Sequence, residues 1–257
     1  MRPLGSRRLA LLSTVVALSG CSPSEGPIDW HVSEYRGRER SWRPESTFPR
    51  PPPKPLRMLI YEVTRYPNMP ATQKQREAAR DLILRSTLAA ERNGWFEYQK
   101  AIDDGYELIF GDKTHYAKKE YFLDDRLVDP DRPEVLMYYN TKKGKKLAGY
   151  MFYVLSHDAR GPQIGGPLTV WHYHKWWEGP FCMLGGLLPI GNPDAKGECR
   201  RGTKHSTSPE MIHVWLIEHP EGRFATNMSL NHKLFVQLVQ DRDRERDQSI
   251  QSPPYDP

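Results

Sequence analysis

The sequence predicts an α+β fold in which N-terminal helices pack on a largely antiparallel β-sheet or partial barrel. Three observations lead there. Helical periodicity is confined to an early segment, and period-two strands dominate the rest of the chain. Two of those strands also flank a turn of lysines and one glycine, which is a hairpin signal.

Met58 to Val63 (MLIYEV) begins the folded part as a strand. Asn68-Met-Pro70-Ala-Thr72 then opens a helix: it offers a polar cap and a proline near the first turn. Ala78, Ala79, Leu82, Ile83, Leu88 and Ala89 come next at helical spacing, and Asn93-Gly94 ends the run because both residues tolerate a left-handed backbone. A second, short helix is expected from Trp95 to Asp103, stopped by Gly105. Strands are expected at Val135 to Tyr139 and Leu147 to Leu155, joined by Thr141-Lys-Lys-Gly-Lys-Lys146. Leu168 to His174 and Met211 to Glu218 continue the sheet, and Ser229 to Gln240 closes as a helix. No internal repeat is present.

The chain divides by composition. Residues 1–20 have the order of a secretory signal: Arg2, Arg7 and Arg8, then an apolar run from Leu9 to Leu18. That run is far shorter than the roughly 20 residues of a spanning helix. Residues 21–57 are rich in proline, serine and arginine and read as a tether. Residues 58–240 are enough for one globular domain with its own core, and 241–257 read as a flexible charged tail.

Leu18-Ser19-Gly20-Cys21 resembles the lipobox of bacterial lipoproteins. The resemblance implies cleavage before Cys21, a diacylglyceryl thioether on its sulfur and an acylated amino terminus, palmitate being the expected chain. The membrane is then a partner through the lipid on Cys21, and several acyl chains anchor far better than one. Ser22, where an aspartate would retain the protein at the inner membrane, implies the outer membrane, facing the periplasm. Signal removal also changes the charge. The whole chain carries +5, residues 1–20 hold three arginines and no acid, and 5 − 3 leaves +2. That is no footprint for nucleic acid.

With Cys21 lipidated, Cys182 and Cys199 remain. Two thiols in an oxidising compartment are expected to pair, and the glycines and prolines between them let a loop close. A metal-bound or nucleophilic Cys182 is the rival reading.

The stretch from Gly165 to Cys182, GGPLTVWHYHKWWEGPFC, carries the chemistry. On a strand His172 and His174 share a face, so two imidazoles can grip one ion without backbone strain, while Thr169, Trp171 and Tyr173 face away. His213 sits in a second strand, opposite in facing to Ile212, Val214 and Leu216. So apolar a strand demands a partner for a buried imidazole, and a shared metal or a backbone carbonyl would serve. Three neutral histidines with an open position suit zinc, copper or iron. Glu178 and Glu210 are the carboxylates available to hold their second ring nitrogens. His219, before Pro220, is expected to shape a turn.

Two resemblances bear on this site. Gly166, His172, His174, Glu178 and Gly185, spaced G-x5-H-x-H-x3-E-x6-G, are similar to the first cupin motif, in which both histidines and the glutamate bind a divalent metal inside a β-barrel. The second cupin motif is not matched, since Pro220-Glu-Gly222 is followed by no histidine. GGPLTVWHYH, the two cysteines, MIHVWLIEHPEGRFA and RPEVLMYY together resemble a family of uncharacterised secreted bacterial proteins. That resemblance implies a role for His115 of the pair His115-Tyr116 as a fourth ligand. The sequence contains no G-x-S-x-G, no C-x-x-C and no phosphate-cradling glycine loop. Three functions are therefore weighed: an envelope protein with a histidine-rich site for a divalent metal, a non-enzymatic scaffold or binding module, and a cupin-type oxygenase or isomerase.

Overall fold

A computed structural model describes residues 58–63, 69–109, 112–176 and 179–251. Cys21, the signal, the tether and Glu178 lie outside the described residues. Ten strands and three α-helices run in the order β1 (Met58–Glu62), α1 (Gln73–Arg92), α2 (Tyr98–Asp103), β2 (Glu107–Leu108), β3 (His115–Ala117), β4 (Val135–Thr141), β5 (Gly144–Tyr153), β6 (His172–Trp176), β7 (Phe181–Leu184), β8 (Leu188–Gly191), β9 (Thr203–His205), β10 (Met211–Trp215) and α3 (His232–Gln251) among the described residues. Seven strands form one antiparallel sheet in the order β1-β6-β10-β5-β4-β3-β2, curved into a half-barrel. A smaller antiparallel sheet, β8-β7-β9, stands apart from it.

α1 starts at a reciprocal cap. The Thr72 hydroxyl accepts the Gln75 N–H at 3.2 Å, and the Gln75 side chain accepts the Thr72 N–H at 2.8 Å. Two otherwise orphaned donors are satisfied this way. The helix ends at Asn93, and Gly94 takes the left-handed turn at φ +71° that the sequence calls for. Its buried residues Ala79, Leu82 and Ala90 join Trp95, Ala101, Tyr150, Phe152, Ile212 and Val214 in one core. One face of the sheet is thus covered by α1 and α2.

The opposite face is built from the alternate residues. Direct cross-strand partners point the same way, and the register aligns His172 with Met211, His213 with Met151 and Val135, and His115 with Met137. Two apolar clusters flank this face. Ile109, Ala117, Phe122, Leu187 and Leu188 close one end around Met151 and Met211. Phe235 and Val239 of α3 close the other around Met137 and Trp215.

Several boundaries differ from the sequence reading, each for a local reason. Gly166–Leu168 forms a turn of 3-10 helix, with Gly166 at φ +58°, and the strand begins only at His172. Pro167 there has no N–H to give a ladder. α3 runs past the expected stop at Gln240 to Gln251. The charged segment is held because Arg242 is buried, donates to the Leu147 carbonyl and lies over the Phe96 ring, with Arg246 beside it. Cys182 and Cys199 are joined in a disulfide, Cα atoms 5.6 Å apart, which ties β7 to the loop before β9. Cys182 is therefore neither a ligand nor a nucleophile.

Candidate metal centre

Four of the histidines singled out from the sequence converge on the uncovered face. The ring centroids of His172 and His213 are 4.5 Å apart, those of His172 and His174 5.4 Å, and those of His115 and His213 6.3 Å. His172 and His174 share the face that strand alternation requires. His213 meets them from the adjacent strand β10.

His115 arrives by curvature. Two strands, β4 and β5, separate β3 from β10, a span of about 14 Å in a flat sheet. A register irregularity at Met137/Tyr138 and the side-chain-free Gly149 allow the sheet to coil. A Cβ at Gly149 would lie 2.4 Å from the Val214 carbonyl oxygen and 2.8 Å from the Met137 methyl, so no larger residue fits that bend. The His115 ring is thereby carried over to that of His213.

The polar bookkeeping at these rings is incomplete. His172 is fully buried, His213 is 1% exposed and His115 8% exposed. Yet Nε2 of His115, His172, His174 and His213 is in each case a buried nitrogen with no hydrogen-bond partner. Nδ1 of His172 also lacks a hydrogen bond. Buried polar atoms are normally satisfied, and each that is not costs about 1–3 kcal/mol.

Two of the rings are held by their other nitrogen. His115 Nδ1 lies 2.7 Å from Asp112 Oδ2, while Asp112 Oδ1 accepts the backbone N–H groups of Lys113, Thr114 and His115 at 2.6, 2.6 and 3.0 Å. Burial alone would raise the Asp112 carboxyl; the bonds from His115 and the backbone outweigh it and hold the group well below the usual carboxylate range. His213 Nδ1 donates to the Ala225 carbonyl at 3.0 Å, an oxygen that also accepts Trp215 Nε1–H at 2.8 Å. Both arrangements put the proton on Nδ1 and leave the Nε2 lone pair free, the orientation that metal-ligating histidines receive from their surroundings.

Burial also favours the neutral form of His172, His174 and His213. It is the main reason that His213 is lowered to about 3 and His174 to about 4, with the charge His115 would carry as the next cause for both. His172 is driven well below its ordinary value by burial, then by His213 and His174. Neutral imidazole is the form that binds metal.

Of the two carboxylates available in the sequence, Glu178 lies outside the described residues. Glu210 is one residue out of phase with His213's face and accepts the Gly161 N–H at 3.0 Å. Asp112 fills the role for His115, and its signal, an aspartate three residues before a histidine, was too local to stand out. His219 sits in a turn where its Nδ1 accepts the Glu221 N–H at 3.1 Å, and its ring lies 4.6 Å from that of Trp215. Trp171 is a core residue, donating to the Pro162 carbonyl at 2.9 Å. A separate pair, His157 and His205, stacks at 4.1 Å near the disulfide-bonded sheet, which no sequence spacing announced. As the side chains stand, no group of three or more His, Cys, Asp or Glu among the described residues could hold a metal ion.

No protein-family model, no curated protein and no solved structure matches the chain.

Proposed function

We propose that this chain is a lipid-anchored protein of the bacterial cell envelope, held at the outer membrane through Cys21, whose half-barrel binds a transition metal for storage, delivery or metal-dependent chemistry. One observation carries the metal reading: four Nε2 atoms, from His115, His172, His174 and His213, are buried and without hydrogen-bond partners on one face of the sheet. The anchor rests on the LSGC segment alone.

The spacing suits the chemistry. A metal–nitrogen bond of about 2.0–2.1 Å puts a ligand ring's centroid roughly 3 Å from the ion, so two ligand rings stand up to about 6 Å apart. The centroid distances of 4.5 and 5.4 Å lie inside that limit and 6.3 Å lies just beyond it, so the rings must move to close onto one ion. Zinc, copper and iron all accept such a donor set. Metal analysis of the reconstituted full chain tests the reading. Bound transition metal in wild type, lost in His172→Ala, supports it; no metal in either sinks it and leaves the envelope scaffold or binding module in its place.

A further inference from the structure

On the reading that these histidines mark a metal site, we propose that the ion is cuprous copper, held by some of the imidazoles together with methionine thioether rather than by all four rings. The register is the starting point. His115 pairs with Met137, His213 with Met151 and His172 with Met211, so each of these histidines has a methionine as direct cross-strand neighbour on its own face. Four methionines are buried among the described residues, and three of them are these. Only Met183 lies elsewhere, on β7.

Position reinforces the count. β4 and β5 separate His115 from His213, and Met137 and Met151 are the inward residues of those two strands beneath the gap. The Met137 methyl lies within 2.8 Å of where a Cβ of Gly149 would sit, so the side chain reaches from β4 over β5. Directly opposed side chains on a sheet have Cβ atoms about 4.5–5.5 Å apart, a span that a flexible methionine covers easily. Apolar packing alone would be served as well by leucine. What distinguishes methionine is a soft, polarizable sulfur, and imidazole combined with thioether selects Cu(I) over the harder Zn(II).

The test is competition on the full chain with its disulfide intact, under anaerobic conditions, using Cu(I) buffered by a chromophoric chelator and Zn(II) buffered separately. The variant is Met137→Leu/Met151→Leu/Met211→Leu, nearly volume-conserving, which the core tolerates; circular dichroism verifies that it is folded. The expected result is Cu(I) binding at least 100-fold tighter than Zn(II), with a sulfur shell at the copper K-edge. The triple variant should lose that shell and at least tenfold in Cu(I) affinity while its Zn(II) affinity stays put. Zinc bound as tightly as Cu(I), or Cu(I) affinity untouched in the variant, overturns the copper assignment and leaves the metal site standing. Neither ion bound by wild type overturns both.

Discussion

The rings of His172 and His213 meet edge to face with centroids 4.5 Å apart, yet neither makes a hydrogen bond through Nε2. His213 bonds the Ala225 carbonyl through Nδ1, while His172 has no hydrogen bond on either nitrogen. These two face each other in an apolar interior, which is a cost to the metal-free fold. Functional sites are where such local costs persist.

That cost predicts the sign of a stability change. Replacing His172 by leucine removes two partnerless nitrogens from a fully buried position. The metal-free His172→Leu chain is expected to be as stable as wild type or up to about 3 kcal/mol more so. It should also show no rise in melting temperature on adding metal, whereas wild type gains about 2.7 kcal/mol at a hundredfold excess over Kd. Thermal melts with and without metal measure both. Destabilisation of the metal-free variant by several kcal/mol would mark His172 as an ordinary core residue.

The depressed imidazoles set a pH dependence for the metal-free chain. His213 is held at about 3 and His174 at about 4 in the fold, against 6.5 unfolded. Between those values the unfolded chain binds the extra protons, so stability falls as pH drops. The loss begins near 6.5 and continues for His174 to about 4 and for His213 to about 3. Each proton contributes a slope of about 1.4 kcal/mol per pH unit. Urea midpoints between pH 7 and 4 should therefore decline, and the decline should be shallower in His213→Gln. A flat profile over that range contradicts neutral burial of these rings.

Much of this site was legible because strand alternation is a strong signal. The shared face of His172 and His174, and the opposition of His213 to Ile212 and Val214, come from period two alone. The cap at Thr72 and the pairing of Cys182 with Cys199 were similarly readable. His115 was not. Its strand is only three residues long, in a polar stretch, and its burial comes from curvature at Gly149 and Met137, which depends on partners far along the chain. The methionines were invisible for the same reason: only register reveals which residue lies opposite which. The carbonyl of Ala225, a backbone group, leaves no trace in composition.

The disulfide holds the smaller sheet. Cys182 on β7 lies between Gly191 of β8 and Lys204 of β9, and its bond to Cys199 closes the segment that contains β8. A closed loop of this length is worth about 3 kcal/mol in the chain-entropy model. Cys182→Ser/Cys199→Ser is expected to lose stability on that order, with faster amide exchange concentrated in residues 181–205. Exchange rising equally across β4, β5 and β10 would show instead that the two sheets unfold as one unit.

Asp112 offers the sharpest separation of site from scaffold. Its carboxylate accepts the Nδ1–H of His115 on one oxygen and three backbone N–H groups on the other. In Asp112→Asn the amide oxygen can keep the backbone bonds, so the turn survives. The amide nitrogen then faces Nδ1 as a donor, and His115 must move its proton to Nε2, closing the lone pair aimed at the site. Metal affinity is expected to fall 10- to 100-fold, the usual effect of losing a partner that orients a ligand. Nitrogen-15 NMR of the metal-free protein should show His115 switching from the Nδ1–H to the Nε2–H tautomer. A switched tautomer with unchanged affinity would remove His115 from the ligand set; an unchanged tautomer would show instead that Asp112 does not fix the proton on Nδ1.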